Sequence, residues 1–322
     1  MNDCGAPLTL GLCLAALAPA GLANALATAA SCGARVVDLP TDSPLGLVDP
    51  RRIADPDYTA WLAAAVARAG LSVGCVSNSR DAQLVLGPHG PHTDPVHGGT
   101  PDDKRRHGTR AALAAVRLAA ALGAPQARLM LGVPDLGRWL SWWSSDVSWQ
   151  DNVQQWAQAA GPALRLAADL GVRVVVEPHP KQVAYDPASA RALLAAVDGV
   201  GLCADPANLA AVGHDPVAAV TGWGPDLAAV HAKDLQVWRL PQEPRGAGWS
   251  RYGPGPAIRF RALGAGELPW PSIVAALLDE GYRGVVYAEH EDALLPTGQG
   301  VRRSLETLRG LVPEAVAQGR TW

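Results

Sequence analysis

The chain has 322 residues, of which 48% are hydrophobic and 18% are charged, so there is enough apolar material for a sizeable core. Its net charge of −3 and pI near 6.2 argue against a surface built for phosphate backbones, because nucleic-acid binding needs a basic face. The five cysteines form no CxxC pair, which favours a reduced, cytoplasmic protein.

The start of the chain is apolar but does not have the pattern of a targeting segment. Residues 5–34 carry no charged side chain, yet the preceding residues lack the positive charge of a signal peptide. Gly11, Pro19 and Gly21 also interrupt the apolar stretch, and no other stretch is an uninterrupted membrane span. We therefore expect a first strand and helix here, and no contact with a membrane.

Short apolar runs then alternate with alanine-rich segments along the whole chain. The apolar runs predict eight strands, at 8–14, 34–39, 71–77, 127–133, 172–177, 199–205, 227–234 and 284–291. The alanine-rich segments predict eight helices, near 23–30, 57–69, 103–122, 150–170, 186–197, 215–221, 271–280 and 300–310. Glycines suited to helix C-caps follow five of these segments, at Gly33, Gly70, Gly123, Gly171 and Gly281.

Strands that alternate with helices indicate parallel strands joined by crossover helices. At this length, the economical architecture is a single α/β domain, a closed (β/α)8 TIM barrel that spans residues 1–322. The chain has no linker, low-complexity tract or strong internal repeat that would divide it. Long loops are predicted at 78–102, 134–149 and 235–262.

Four consecutive predicted strands end on side chains that bind metals. The buried run at 174–176 leads directly into Glu177, Asp205 ends the sixth strand, and His231 and Glu289 lie near the ends of the seventh and eighth. Burial of an unpaired carboxylate is unfavourable, and barrel enzymes place their chemistry at the carboxyl ends of strands. We therefore predict that these side chains bind one divalent ion, with Mn²⁺ as first choice and Mg²⁺, Co²⁺ or Zn²⁺ as alternatives.

The motifs around these positions resemble those of a known family. In order, they are EPHP, ADPANL, VHAKD, LGAGELPWPSIVAALLDEGYRG and AEHED, and together they resemble the xylose isomerase-like barrels, the sugar phosphate isomerase/epimerase family. The resemblance implies metal ligands at Glu177, Asp205, His231 and Glu289, and an acid/base pair formed by Glu177 and Glu289. It implies a metal-dependent isomerase or epimerase that acts on a keto-sugar or related polyol through an enediolate.

Several further residues are candidates for contact with a sugar. Lys233 shares strand parity with His231 and should face inward, whereas His290 has the opposite parity and should pack behind the barrel. His179 is either a hydrogen-bond partner of the substrate or a support for a metal ligand. Candidates in the loops are His92, whose alternative is a solvated turn, and Trp143, which either stacks on a sugar or packs against a helix or partner subunit.

The sequence departs from the family pattern at two positions. Asn208 stands where one branch has a histidine, in a DPSH run, and is a further candidate for substrate binding. The ketose epimerases carry an arginine a few residues beyond the strand-seven histidine, but here Arg239 lies further along. Both departures argue against a simple free-ketose epimerase and leave the predicted metal ligands unaffected.

Three other functions remain as alternatives. One branch of the family also hosts lyases that act on keto-sugars or 3-keto glycosides by enolisation and elimination, with the same ligands. A non-catalytic sugar-binding barrel is the second alternative. A metal-dependent endonuclease is the third, but it would need further ligands and a basic groove. The expected partners are a small sugar substrate and a second copy of the chain or a small partner subunit, without nucleic acid.

Overall fold

The structure is a computed structural model that describes residues 8–134, 148–237 and 258–314. Eight parallel strands close into a barrel, which confirms the predicted TIM barrel. The barrel strands are β1 (Thr9–Cys13), β2 (Val36–Pro40), β3 (Ser72–Asn78), β4 (Gln126–Leu129), β5 (Arg173–Val176), β6 (Gly201–Ala204), β7 (Leu227–Ala232) and β10 (Val285–Ala288). Their order around the barrel is β1-β10-β7-β6-β5-β4-β3-β2. Two further strands, β8 (Asp234–Val237) and β9 (Ile258–Arg261), form an antiparallel hairpin.

Helices connect the barrel strands and cover its outer face. They are α1 (Leu22–Ser31), α2 (Pro56–Arg68), α3 (Pro101–Ala121), α4 (Trp149–Leu170), α5 (Pro187–Ala196), α6 (Pro206–Ala211), α7 (Trp270–Asp279) and α8 (Thr297–Leu311). The five glycines predicted to end helices all have positive φ, as a C-cap requires. Within the described ranges, no helix is long and apolar enough to cross a membrane.

One predicted helix is wrong. Residues 215–221 form turns, because the Asp215 side chain accepts a hydrogen bond from the backbone N–H of Val217 and closes a turn around Pro216. The connection between β6 and β7 instead contains α6, which begins directly after Asp205. Of the predicted long loops, 78–102 is described, whereas 135–147 and 238–257 lie outside the described residues.

A small cluster of side chains around one aromatic residue packs inside the barrel. Tyr287 points inward from β10 and packs with Cys75, Cys203 and other apolar residues. A Cβ atom on Gly11 would lie 2.5 Å from the Tyr287 ring, so this position of β1 needs a glycine. The packed interior leaves space for chemistry at the carboxyl ends of the strands.

The β8–β9 hairpin is fixed to the barrel by two buried aspartates. Asp234 accepts hydrogen bonds from the backbone N–H groups of Gly264 and Leu268, and Asp292 accepts hydrogen bonds from the backbone of Ala262 and the side chain of Arg261. These aspartates are the last residues of the VHAKD and AEHED motifs. The motifs therefore combine candidate site residues with residues that hold the fold.

Candidate metal centre

The four predicted metal ligands meet at the carboxyl ends of neighbouring strands. Glu177 follows β5, Asp205 follows β6, His231 lies in β7 and Glu289 follows β10. One ligand atom from each lies within 4.8 Å of all the others. Glu177, Asp205 and His231 are almost completely buried, and the side chain of Glu289 is 14% exposed. The site thus has one partly open side.

Asp205 is held by the helix that it starts. Its Oδ1 accepts hydrogen bonds from the backbone N–H groups of Ala207 (2.9 Å) and Asn208 (3.2 Å), which makes it the N-cap of α6. Pro206 at the first helical position supports this geometry, because proline presets the backbone angle and needs no donor there. The cap uses one carboxylate oxygen and leaves Oδ2 directed into the site.

His231 is held by a carboxylate from the opposite side of the barrel. Its Nε2 lies 3.4 Å from Oδ2 of Asp38 in β2, and its Nδ1 lies 3.4 Å from Oε2 of Glu289. Asp38 is completely buried and also accepts a hydrogen bond from the hydroxyl of Ser77. A carboxylate behind the histidine fixes the ring and keeps the proton away from the nitrogen that faces a metal.

Glu177 is held by two nitrogen donors. Arg128 in β4 donates a hydrogen bond of 2.6 Å to its Oε2, and Asn208 donates one of 2.7 Å to its Oε1. Arg128 is itself buried and lies 3.4 Å from Asp38, so it links the supports of Glu177 and His231. One network of buried charges thus positions two of the four predicted ligands.

The two glutamates have different electrostatic surroundings. Burial raises the pKa of Glu177 above its usual range, although Arg128 and His231 oppose the shift. Burial acts in the same direction at Glu289, but Lys233 and His231 outweigh it and hold the pKa of that carboxyl well below its usual range. Carboxylates in unlike surroundings are typical of acid/base pairs.

The donor set fits a divalent ion. Three carboxylates and one imidazole are ligands that Mn²⁺ and Zn²⁺ both accept. Nδ1 of His231 and Oδ2 of Asp205 are buried and make no hydrogen bond within the described part of the chain, although charged groups lie nearby. Cys203 forms a second group with Glu177 and His231 whose ligand atoms are close enough to share an ion. The sulfur of Cys203 is therefore a softer donor atom beside the four predicted ligands.

Lys233 faces the site, as strand parity predicts. Its Nζ lies 3.0 Å from Oδ2 of Asp205, 2.8 Å from Oε2 of Glu289 and 2.8 Å from Oε2 of Glu291. Burial disfavours the charge on this lysine, but the three carboxylates raise the pKa of Lys233 well above its usual range. The ammonium group is therefore a fixed positive charge within the site.

His179 is a half-buried histidine on the loop that follows β5. Burial lowers the pKa of His179 to about 3, with Lys233 and Lys181 acting in the same direction, so the ring is neutral at physiological pH. Its Nδ1 accepts a hydrogen bond from the backbone N–H of Lys181, which assigns the ring proton to Nε2. A contact between His179 and a sugar stays a prediction.

The two loop residues predicted to contact a sugar are His92 and Trp143, and of these His92 lies among the described residues. His92 is exposed, and its ring contacts the backbone oxygen of Pro88. Trp143 is the candidate outside the described residues, and Trp149 from the same tryptophan-rich stretch packs edge-on against Tyr185. A contact of either candidate with a sugar stays a prediction.

His290 lies behind the barrel, as its strand parity predicts. It is buried against α8, where a Cβ atom on Gly300 would lie 2.1 Å from its ring. The ring therefore faces away from the metal centre, and the glycine in α8 makes room for it.

Sequence reasoning missed three charged residues of this centre. Asp38 and Arg128 lie inside runs that predict buried strands, and Glu291 follows Glu289 by two residues. A charged side chain within an otherwise apolar strand of a barrel was the available signal, because such a residue must point into the barrel or emerge at its rim. Two opposite charges in different strands, Asp38 and Arg128, also indicated a buried pair.

Asn208 provides a test of the network around Glu177. We expect Asn208→Ala to lower either Mn²⁺ affinity or turnover by roughly tenfold, because the substitution removes the hydrogen bond that orients Oε1 of Glu177. Metal titration and steady-state kinetics of the variant would separate the two effects. Asn24→Ala, on the exposed surface of α1, is the matched control. Wild-type behaviour of Asn208→Ala in both measurements would contradict the assignment.

A closed parallel barrel with carboxylates and a histidine gathered at its carboxyl end defines a (β/α)8 protein with a candidate metal centre. Residues 26–311 match the family model described as xylose isomerase-like TIM barrel. The chain belongs to the xylose isomerase-like TIM barrel family, which confirms the resemblance of its motifs.

One relative is similar to this chain in sequence, and two solved structures share its fold. The uncharacterized protein YfiH of Bacillus subtilis (strain 168) is 28% identical over 218 residues, a match that covers 62% of this chain and 70% of YfiH. The structure of 3-keto-D-glucoside 4-epimerase, YcjR, from E. coli has a TM-score of 0.67 at 16% identity and covers 94% of this chain and 99% of its own. The structure of IOLI protein, with a binding zinc atom, has a TM-score of 0.67 at 15% identity and covers 97% and 100%.

Proposed function

We propose that the protein is a divalent-metal-dependent isomerase or epimerase that acts on a keto-sugar or a related polyol. The observation that carries the proposal is the convergence of Glu177, Asp205, His231 and Glu289, whose ligand atoms lie within 4.8 Å of one another at the carboxyl end of the barrel. Family membership supports the same class of chemistry, and so does the shared fold with a 3-keto-D-glucoside 4-epimerase.

The proposed chemistry divides between the ion and the side chains. A divalent ion held by these four residues would polarise a substrate carbonyl and acidify the neighbouring C–H group. One of Glu177 and Glu289 then removes a proton from that carbon, and the other returns a proton to the opposite face or to the adjacent carbon. The fixed charge of Lys233 and the Nε2–H group of His179 would stabilise oxygens of the resulting enediolate.

The surroundings of Glu177 and Glu289 support their proposed roles in proton transfer. Arg128 and Asn208 orient both oxygens of Glu177, whereas Glu289 lies between His231 and Lys233 on the open side of the site. Each carboxylate is therefore fixed by its neighbours. A fixed carboxylate transfers protons efficiently because its orientation needs no further adjustment.

Solvent exchange tests the proposed function. Candidate substrates, including a 3-keto glucoside and simple ketoses, are incubated with the protein and Mn²⁺ in D₂O and followed by NMR. We expect deuterium to be incorporated at the carbon beside the carbonyl. Incorporation should stop when a chelator is added and resume when excess Mn²⁺ is returned. Complete turnover without deuterium in product or recovered substrate, at low and high conversion alike, would contradict proton transfer by two solvent-exchanging carboxylates and would leave a hydride shift or strict internal return of the same proton.

The same experiment separates the isomerase from the lyase that is its main alternative. Both reactions begin with removal of the proton next to the carbonyl, so both introduce deuterium. An isomerase or epimerase retains every substituent of the sugar, whereas a lyase releases one of them by elimination. Mass spectrometry of the products therefore distinguishes the two reactions, and binding without exchange would identify a non-catalytic sugar-binding barrel.

A further inference from the structure

The position of Lys233 relative to the predicted ligands has a consequence for metal binding. Its ammonium nitrogen lies 3.0 Å from Oδ2 of Asp205 and 2.8 Å from Oε2 of Glu289, two oxygens that face the centre. Both residues belong to the quartet whose ligand atoms can share an ion. A positive charge this close to two ligand carboxylates neutralises part of the negative charge that would otherwise attract a divalent cation.

A third carboxylate gives the lysine an alternative partner. Oε2 of Glu291 lies 2.8 Å from the same ammonium nitrogen, and the side chain of Glu291 is 44% exposed, on the outer side of the site. The ring of Phe260, from the β8–β9 hairpin, lies 4.5 Å from the nitrogen and adds a cation–π contact. Lys233 can thus remain paired with Glu291 when the carboxylates of Asp205 and Glu289 bind an ion.

We propose that Lys233 competes with the metal for Asp205 and Glu289, and that Glu291 accepts the lysine when the metal is bound. The inference rests on the proposed metal centre and adds a control of its affinity. Lys233 would keep the carboxylates together before the metal arrives, and Glu291 would set how readily the lysine releases them. Metal affinity then depends on whether Lys233 pairs with Glu291 or with the two ligand carboxylates, Asp205 and Glu289.

Metal titrations test the competition without measuring turnover. Mn²⁺ is titrated at one pH into chelator-treated wild type, Lys233→Met, Lys233→Arg and Glu291→Gln, with thermal unfolding recorded for each protein. We expect Lys233→Met to bind Mn²⁺ roughly tenfold more tightly, because a like charge beside the ion is removed. Lys233→Arg should stay near wild type, and Glu291→Gln should bind several-fold more weakly, because Lys233 loses its second partner.

The double variant decides whether Glu291 acts through the lysine. If it does, Glu291→Gln should have no effect on Mn²⁺ affinity in the Lys233→Met background, so the two substitutions are strongly non-additive. An equal loss in both backgrounds would show that Glu291 attracts the ion directly and would overturn its assigned role. Unchanged or weaker Mn²⁺ binding by Lys233→Met would overturn the competition, and Glu291→Gln still tests it if Lys233→Met does not fold.

The outcomes for the proposed function and for this inference are distinct. Failure of wild type to bind Mn²⁺, Zn²⁺ or Co²⁺ would refute the metal centre itself. Metal binding by wild type together with unchanged affinity in the Lys233 variants would leave the centre intact and refute only the competition. A second lysine provides the matched control: Lys181→Met removes an exposed charge two residues from His179 and should leave Mn²⁺ affinity within about twofold of wild type.

Discussion

Glu177→Gln and Glu289→Gln should each lose about 10²-fold or more of the turnover measured in the deuterium experiment, while metal content falls far less. The physical reason is that an amide oxygen can still coordinate an ion but cannot take up a proton at neutral pH. At Glu177 the amide also meets Arg128, whose hydrogen bond to Oε2 needs an acceptor oxygen, so this variant should lose somewhat more metal than Glu289→Gln.

The measurement compares turnover at saturating Mn²⁺ with elemental analysis of the same samples. Glu306→Gln, on the exposed side of α8, is the control for purification and for a change from carboxylate to amide. Equal losses of metal and turnover would mean that the glutamates act only as ligands. Full turnover by either variant would remove that residue from the acid/base pair.

Arg128→Met should destabilise the chelator-treated protein by about 3–5 kcal/mol, the largest stability effect that we expect from a single substitution in the centre. Arg128 is buried between Glu177 and Asp38, at 2.6 Å and 3.4 Å, and its removal leaves both carboxylates buried without their main positive partner. Burial of uncompensated charge is what makes a broken buried ion pair so unfavourable.

Urea unfolding of wild type and Arg128→Met measures this effect, and Arg51→Met is the matched control. Arg51 pairs with Asp49 on the surface, with a side chain that is 87% exposed, so its removal should leave the free energy of unfolding close to that of wild type. Saturating Mn²⁺ should restore part of the lost stability of Arg128→Met, because the ion supplies positive charge to Glu177. A metal-free loss as small as that of the surface control would contradict the role given to Arg128.

The features that follow local rules could be predicted from the sequence. Strand and helix positions depend on runs of apolar residues and on caps such as Gly171, and seven of the eight predicted helices match the structure. The four ligand positions follow from Glu177 and three similar residues at strand ends, because parallel strands bring their carboxyl ends to one rim. The short helix α6 was missed because six residues give too little periodicity to detect.

The connections across the barrel could not be predicted in the same way. Asp38 and Arg128 are separated by 90 residues, and their pairing depends on the register of β2 and β4 around the barrel. Nor does strand parity show which carboxylates Lys233 contacts, because that depends on the path of the chain after β10. These contacts are fixed by tertiary geometry, which local patterns do not contain.

The hairpin formed by β8 and β9 has a practical consequence for engineering. Val237 and Ile258 are paired in register at its open end, while Asp234 and Asp292 hold its base against the barrel. A replacement segment joined at Val237 and Ile258 would therefore begin and end at two neighbouring, fixed positions. Both positions lie beyond the hydrogen bonds that hold the base of the hairpin. The pair is a natural grafting point for exchanging segments among related barrels, a route to altered selectivity that leaves His231 and Glu289 in place.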